Sequence, residues 1–217
     1  MFQIKICGVT SRDDAREAVS AGADAIGLNF YAGSPRCLTA AQAKKIAGTV
    51  PNPVGVFVNA SAERIEQIAD EVGLDWVQLH GDEPPELLAD IGKQYKIVRA
   101  VRLDEQGVGR IAEDLDACRA AGRGPDAVLV DAAAPGQYGG TGRTVRWTEL
   151  SDYRRWLSDV PLILAGGLTA ENVAEAIRKV RPAAVDVASG VERSAGVKHP
   201  DKVRAFVTAA SGAFSRL

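Results

Sequence analysis

A thiol, a carboxyl and two pairs of small residues are the groups of this sequence best placed to do chemistry. Cys7 ends the apolar run Ile4-Lys5-Ile6 and is followed by Gly8-Val9-Thr10. Asp131 ends a second run, Ala127-Val128-Leu129-Val130. A free thiol ionises near about pH 8.5, so a thiolate formed with help from a neighbour is a base. A carboxyl at a partly buried rim has a raised pKa and can give up a proton. Gly166-Gly167 and Ser189-Gly190 follow two further apolar runs. Small residues let backbone N–H groups approach a ligand, and N–H groups at helix starts bind phosphate. One base, one acid and one anion cradle suit proton transfer on a small phosphorylated molecule. Each group also has a plain alternative: a core cysteine, an Asx-turn, tight turns.

Three more side chains are candidates. Arg36 lies in Ser34-Pro35-Arg36, where proline stiffens the loop, and a guanidinium can clasp a carboxylate with two parallel bonds. His80 can orient a substrate or serve as a hydrogen-bonded structural histidine. Lys5 shares a strand face with Cys7, because side chains alternate along a strand. If Cys7 points into a mouth, Lys5 points into the interior, where a lone ammonium is costly. The expectation is that Lys5 pairs with an interior carboxylate, Asp186 first, and helps to lower the Cys7 pKa. A Lys5 that snorkels to solvent is the alternative. Cys7, His80 and Asp131 lack the local spacing of common metal sites, so no metal is expected.

The elements that must position these residues repeat as strand then helix. Apolar runs predict strands at 4–7, 24–29, 54–59, 76–81, 97–102, 127–131, 161–165 and 184–188. Ser11 caps a helix over 12–21 with Asp13 and Asp14 in its first turn. Thr39 and Gln42 have capping-box spacing. Ser61 caps a helix with Ile65, Ile68, Ala69 and Val72 on one face. Pro84 and Pro85 suit the first turn of the next helix. Further helices are expected over 109–121, 147–157 and 201–210, and one capped by Thr169 carries Val173, Ala176, Ile177 and Val180 inward. The loop over 132–145 is the longest and the richest in glycine, with Gly136, Gly139, Gly140 and Gly142. Ser189-Gly190-Val191-Glu192 reads as the start of a short extra helix.

Eight strand–helix units close naturally into a single (β/α)8 barrel domain over 1–217, an α/β fold with eight parallel strands inside a ring of helices. A doubly wound open sheet usually carries a G-x-G-x-x-G turn, which is missing here. In a barrel the C-terminal strand ends share one mouth. Cys7, Asn29, Asn59, His80, Arg102, Asp131, Gly166-Gly167 and Ser189-Gly190 would meet there.

The 217 residues are 46% hydrophobic and 25% charged with a net charge of −2, ordinary values for a globular protein. Without a basic block, neither nucleic acid nor a membrane surface is an expected partner. No run approaches the roughly 20 apolar residues of a membrane span. No signal peptide is expected, since the apolar stretch at 1–7 is short and Asp and Arg follow. Cys7, Cys37 and Cys118 are odd in number and widely spaced, which suits a reducing cytoplasm and no disulfide framework.

With these residues placed, the chain resembles the phosphoribosylanthranilate isomerases of tryptophan biosynthesis over almost its whole length. The resemblance rests on Lys5-Ile6-Cys7-Gly8-Val9-Thr10, Ser34-Pro35-Arg36, Val54-Gly55-Val56-Phe57-Val58-Asn59 and Gln78-Leu79-His80-Gly81. It continues with Gly139-Gly140-Thr141-Gly142, Leu164-Ala165-Gly166-Gly167-Leu168 and Val185-Asp186-Val187-Ala188-Ser189-Gly190-Val191-Glu192. It implies a (β/α)8 barrel and an Amadori rearrangement of N-(5-phosphoribosyl)anthranilate to the 1-deoxyribulose 5-phosphate, without a cofactor. It implies that Asp131 protonates the furanose ring oxygen and opens the ring to an imine. Cys7 then takes the proton from the adjacent sugar carbon, giving an enolamine that tautomerises to the ketone. Arg36 would hold the anthranilate carboxylate, and Gly166-Gly167 with Ser189-Gly190 would hold the phosphate. The expected partner is this phosphosugar alone, with the protein a cytoplasmic monomer or homodimer. The family's expected Gly-x-Lys-Asp reads Gly196-Val197-Lys198-His199 here, a stretch expected to order the loop before the last helix. A related sugar-phosphate isomerase using two aspartates would want a carboxylate at position 7, and a phosphosugar epimerase a metal set. A catalytically silent phosphosugar-binding barrel would not need Cys7 and Asp131 together.

Overall fold

The computed structural model describes residues 1–103, 107–132, 147–157 and 159–217. Eight parallel strands, β1 (Ile4–Ile6), β2 (Ala25–Asn29), β3 (Pro53–Phe57), β4 (Trp76–Leu79), β5 (Lys96–Leu103), β6 (Ala127–Ala132), β7 (Leu162–Leu164) and β8 (Ala184–Val187), close into a barrel. Each pairs with the next in sequence, and β8 closes on β1 with Lys5 opposite Asp186. The expected (β/α)8 architecture is the one observed.

Alternation along the strands sorts side chains into two apolar layers. Ile4, Ile6, Leu28, Val77, Leu79 and Val185 face outward into the core shared with the helices. Ala25, Val54, Trp76, Val98, Leu129, Ile163 and Ala184 fill the barrel interior. Phe2 meets Trp76 edge-on there, with ring centroids 5.3 Å apart. Above this apolar floor the inward positions turn polar, at Lys5, Gln78 and Asp186, all buried.

The helices are α1 (Arg12–Ser20), α2 (Ala40–Ala47), α3 (Ala62–Val72), α4 (Leu87–Asp90), α5 (Val108–Ala120), α6 (Arg154–Leu157), α7 (Val173–Val180) and α8 (Pro200–Phe214). The Ser11 and Ser61 hydroxyls accept the N–H of Asp14 and Arg64, and Thr39 and Gln42 form the reciprocal box. The face of α3 formed by Ile65, Ile68, Ala69 and Val72 is buried. Truncating a side chain such as Ile65 to alanine costs about 2–5 kcal/mol.

Four expectations about helices need correction. Pro84 and Pro85 lie in turns before α4, which is a single short turn, and their carbonyls accept the N–H groups of Leu87 and Leu88. The helix expected over 147–157 is a 3-10 turn at Trp147–Leu150 and then α6. Ser151 and Asp152 sit at the break, residues whose side chains compete with the helical backbone. The helix expected directly after Thr169 begins at Val173, because Asn172 turns its side chain back onto the Thr169 N–H and the Gly167 carbonyl. The short helix expected from Ser189 is a 3-10 turn, Ser189–Val191, that runs into an antiparallel hairpin, β9 (Glu192–Ser194) and β10 (Val197–Lys198). That hairpin leads into α8, with the His199 N–H on the Val191 carbonyl at 2.9 Å. Gly136 and the stretch Gly139-Gly140-Thr141-Gly142 lie outside the described residues.

Candidate active site

Cys7 follows β1 directly. Its N–H donates to the Val187 carbonyl at 2.8 Å, so the barrel seam fixes its backbone. Gly8 then leaves the strand with φ of 69°, and its N–H and that of Val9 both donate to the Gly27 carbonyl. A Cβ on Gly27 would lie 2.5 Å from the Cys7 Sγ and 2.9 Å from its Cα. The missing side chain on β2 is what makes room for the thiol.

Below Cys7, Lys5 is fully buried, and its Nζ donates to Asp186 Oδ1 at 2.9 Å and Gln78 Oε1 at 3.0 Å. Cys7, two residues further along, is close enough to act on its charge. Two of its three donors thus meet acceptors across the barrel. Burial opposes the charge on Lys5, but Asp186 and Cys7 together outweigh it and hold the ammonium above its ordinary pKa. The expected Lys5–Asp186 pair is therefore present. Lys5 lowers the Cys7 pKa as expected, but the net shift is upward. Burial pushes the Cys7 thiol up and Asp186 adds to that, while Lys5 and Lys198 pull it down without cancelling the rise.

A second charged cluster closes over Cys7 from the β9–β10 hairpin. Lys198, 2% exposed, donates from Nζ to the Cys7 carbonyl at 2.5 Å, to Ala188 O at 3.2 Å and to Glu192 Oε1 at 2.9 Å. Burial lowers the pKa of Lys198, and Glu192 restores only part of it. Glu192 also receives Arg36, Nε to Oε1 at 2.8 Å and Nη2 to Oε2 at 2.6 Å. Burial alone would raise the Glu192 pKa, but Arg36 and Lys198 outweigh it and hold it below the ordinary value. Gly8 lets Arg36 pass, since a Cβ there would sit 2.3 Å from the Arg36 Cδ.

Across the barrel, Asp131 stands near the end of β6 and is buried. His80 Nε2 lies 3.4 Å from its Oδ2, and His80 Nδ1 lies 2.6 Å from Gln78 Nε2. Asp131 lines one cavity with Gly166, Gly167, Ser189, Gly190 and Asp186. Gly166 and Gly167 have φ of 86° and 65°, which glycine adopts without strain. The two loops touch so closely that a Cβ on Gly190 would lie 1.9 Å from the Leu168 carbonyl oxygen. Because α7 starts late, turn residues and not the expected helix start line this cavity after β7, beside the 3-10 turn at Ser189–Val191.

The structure thus brings Asp131, His80 and both small-residue turns together, and places Cys7 two residues beyond Lys5, whose partner Asp186 lines the same cavity. Arg36 points at the protein's own Glu192. Gln78, Glu192 and Lys198 bond to the candidate residues His80, Arg36 and Cys7, contacts that sequence reasoning did not assign. The inward alternation Trp76, Gln78, His80 could have revealed Gln78. Cys37 is exposed, and Cys118 is buried on α5 with its thiol pushed up by burial to about 11. Among the described residues no group of three or more His, Cys, Asp or Glu side chains could hold a metal ion, and no helix is long and apolar enough to cross a membrane.

The family profile described as N-(5'phosphoribosyl)anthranilate (PRA) isomerase matches residues 4–209. The N-(5'-phosphoribosyl)anthranilate isomerase of Acidithiobacillus ferrooxidans is 46% identical over 98% of both chains. A crystal structure of monomers generated from the dimeric phosphoribosylanthranilate isomerase of Thermotoga maritima superimposes with a TM-score of 0.83 at 36% identity, covering 98% of this chain and 100% of that one. A phosphoribosylanthranilate isomerase in complex with reduced 1-(o-carboxyphenylamino)-1-deoxyribulose 5-phosphate gives a TM-score of 0.82 at 36% identity, with 98% and 100% covered.

Proposed function

Since the chain belongs to the N-(5'-phosphoribosyl)anthranilate isomerase family, we propose that Cys7 is the base and Asp131 the acid of its reaction. The enzyme carries out the Amadori rearrangement of N-(5'-phosphoribosyl)anthranilate in tryptophan biosynthesis. Asp131 gives its proton to the furanose oxygen as the anilino nitrogen pushes the ring open to an imine. Cys7, as thiolate, removes the proton from the adjacent carbon, the electrons move toward nitrogen, and the enolamine relaxes to the ketone. Lys5 and Lys198 stabilise the thiolate against the burial that disfavours it. Gly166, Gly167, Ser189 and Gly190 bind the phosphate through N–H groups. Arg36 gives two of its five N–H groups to Glu192 and holds the anthranilate carboxylate with others.

One observation carries the assignment: Asp131, both small-residue turns and Asp186 line a single cavity, and Asp186 grips Lys5, two residues before Cys7 on the same strand face. The test follows the fluorescence of the aminobenzoate substrate on turnover. Cys7→Ser and Asp131→Asn should each lose about 10²–10⁴-fold in rate. Near-wild-type turnover by either variant ends the assignment. The same reading makes residues 1–217 one domain, working in the cytoplasm as a monomer or homodimer. Its three free cysteines suit a reducing compartment, and sedimentation of the purified protein tests the oligomeric state.

A further inference from the structure

Gln78 is fully buried inside the barrel, and its amide is held at both ends. Its Oε1 accepts from Lys5 Nζ at 3.0 Å, and its Nε2 lies 2.6 Å from His80 Nδ1. An ammonium has donors only, so the end of the amide that faces Lys5 must be the oxygen. The NH2 end is thereby turned on His80, and a ring nitrogen can receive it only with a lone pair. His80 Nδ1 is therefore unprotonated. The ring proton sits on Nε2, the atom 3.4 Å from Asp131 Oδ2.

We propose that Gln78 is a positioning residue: pinned by Lys5, it holds His80 as the Nε2–H tautomer, so that a hydrogen-bond donor faces Asp131. The proposal rests on Asp131 being the acid. When Asp131 passes its proton to the sugar ring oxygen, negative charge develops on the carboxylate. A fixed N–H aimed at that charge strengthens as the charge grows, so it favours the transition state over the ground state. The opposite tautomer would set a lone pair against the new carboxylate. Only the Asp131 proton moves in this step, and His80 keeps its own.

The chain has two histidines, so the imidazole nitrogen spectrum of protein labelled with 15N-histidine is simple, and His80→Asn assigns it. In the wild type at neutral pH, His80 should show Nε2 protonated and Nδ1 bare. Gln78→Glu keeps the shape of the side chain but has no N–H to give. Its carboxylate accepts from Lys5 and from His80, which draws a proton onto Nδ1. In that variant kcat should fall about 10- to 100-fold, the loss expected for one charge-directed hydrogen bond, with KM little changed. A wild-type His80 protonated at Nδ1 overturns the proposal, whether or not the variant folds. So does a Gln78→Glu enzyme that loses activity while His80 keeps its tautomer, since Gln78 would then only fill space. Full activity in Asp131→Asn beside an Nε2–H His80 overturns the acid assignment, and with it the catalytic purpose, by a separate measurement.

Discussion

Lys5 and Asp186 stand opposite one another across the seam that closes the barrel, paired in register and joined Nζ to Oδ1 at 2.9 Å. Both are buried, and the lysine gives a second bond to Gln78. A buried pair of this kind is weak evidence for stability but strongly penalises the loss of one member.

Lys5→Met should therefore destabilise the fold by about 3–5 kcal/mol, because Asp186 is left buried without its partner. Adding Asp186→Leu should recover most of that loss, as read from urea unfolding midpoints. The kinetic sign is separate. Burial and Asp186 raise the thiol pKa, and Lys5 lowers it. Without Lys5 the thiolate forms at higher pH, so the rising limb of the pH–kcat/KM profile should move to higher pH. An unmoved limb removes Lys5 from the tuning of the base.

Glu192 governs behaviour in acid. Its folded pKa lies below the ordinary carboxylate value because Arg36 and Lys198 outweigh burial. The stability it supplies is thus fully present above the unfolded value of about 4.3, and disappears as pH falls through the folded value. Wild-type melting temperature should drop over that window. In Glu192→Gln the acid limb should flatten, with a lower plateau near neutrality. A variant as acid-sensitive as wild type would show that the Arg36–Glu192 clasp is not the titrating element.

Two glycines should separate the base from the cradle. In Gly27→Ala the new Cβ meets the Cys7 Sγ at 2.5 Å and its Cα at 2.9 Å, so the base must shift. A misplacement of this size costs about 10²-fold, and it should appear in kcat. In Gly190→Ala the Cβ meets the Leu168 carbonyl at 1.9 Å and spreads the two loops. That should appear in KM and in weaker inhibition by inorganic phosphate, by about tenfold or more. Equal kcat losses in both variants would mean that the two regions do not divide the work in this way.

The barrel was legible because strands covered on both faces read as unbroken apolar runs, and because Ser11, Thr39, Gln42 and Ser61 follow local capping rules. Pro84, Ser151 and Asn172 misled where tertiary packing or a side-chain bond shortened a helix. The places of Cys7, Asp131, Gly166 and Ser189 at strand ends could be read, and alternation turned Lys5 into the interior, where Asp186 was the first expected partner. The direction of the Cys7 shift could not be read, since sequence shows that a lysine is near but not how deeply a thiol is buried. Glu192 and Lys198 were hidden for a different reason. They meet Cys7 and Arg36 only because the β9–β10 hairpin, with its register shift at Val197, folds back over the mouth.

The anchoring of Cys7 also sets when activity can begin during synthesis. Its N–H is held by the Val187 carbonyl, and its own carbonyl by Lys198, 191 positions away in the chain. Both partners lie far along the chain from Cys7, so a nascent polypeptide carries the sulfur long before the residues that fix its backbone have been made. A chain that stops short of β8 lacks both anchors.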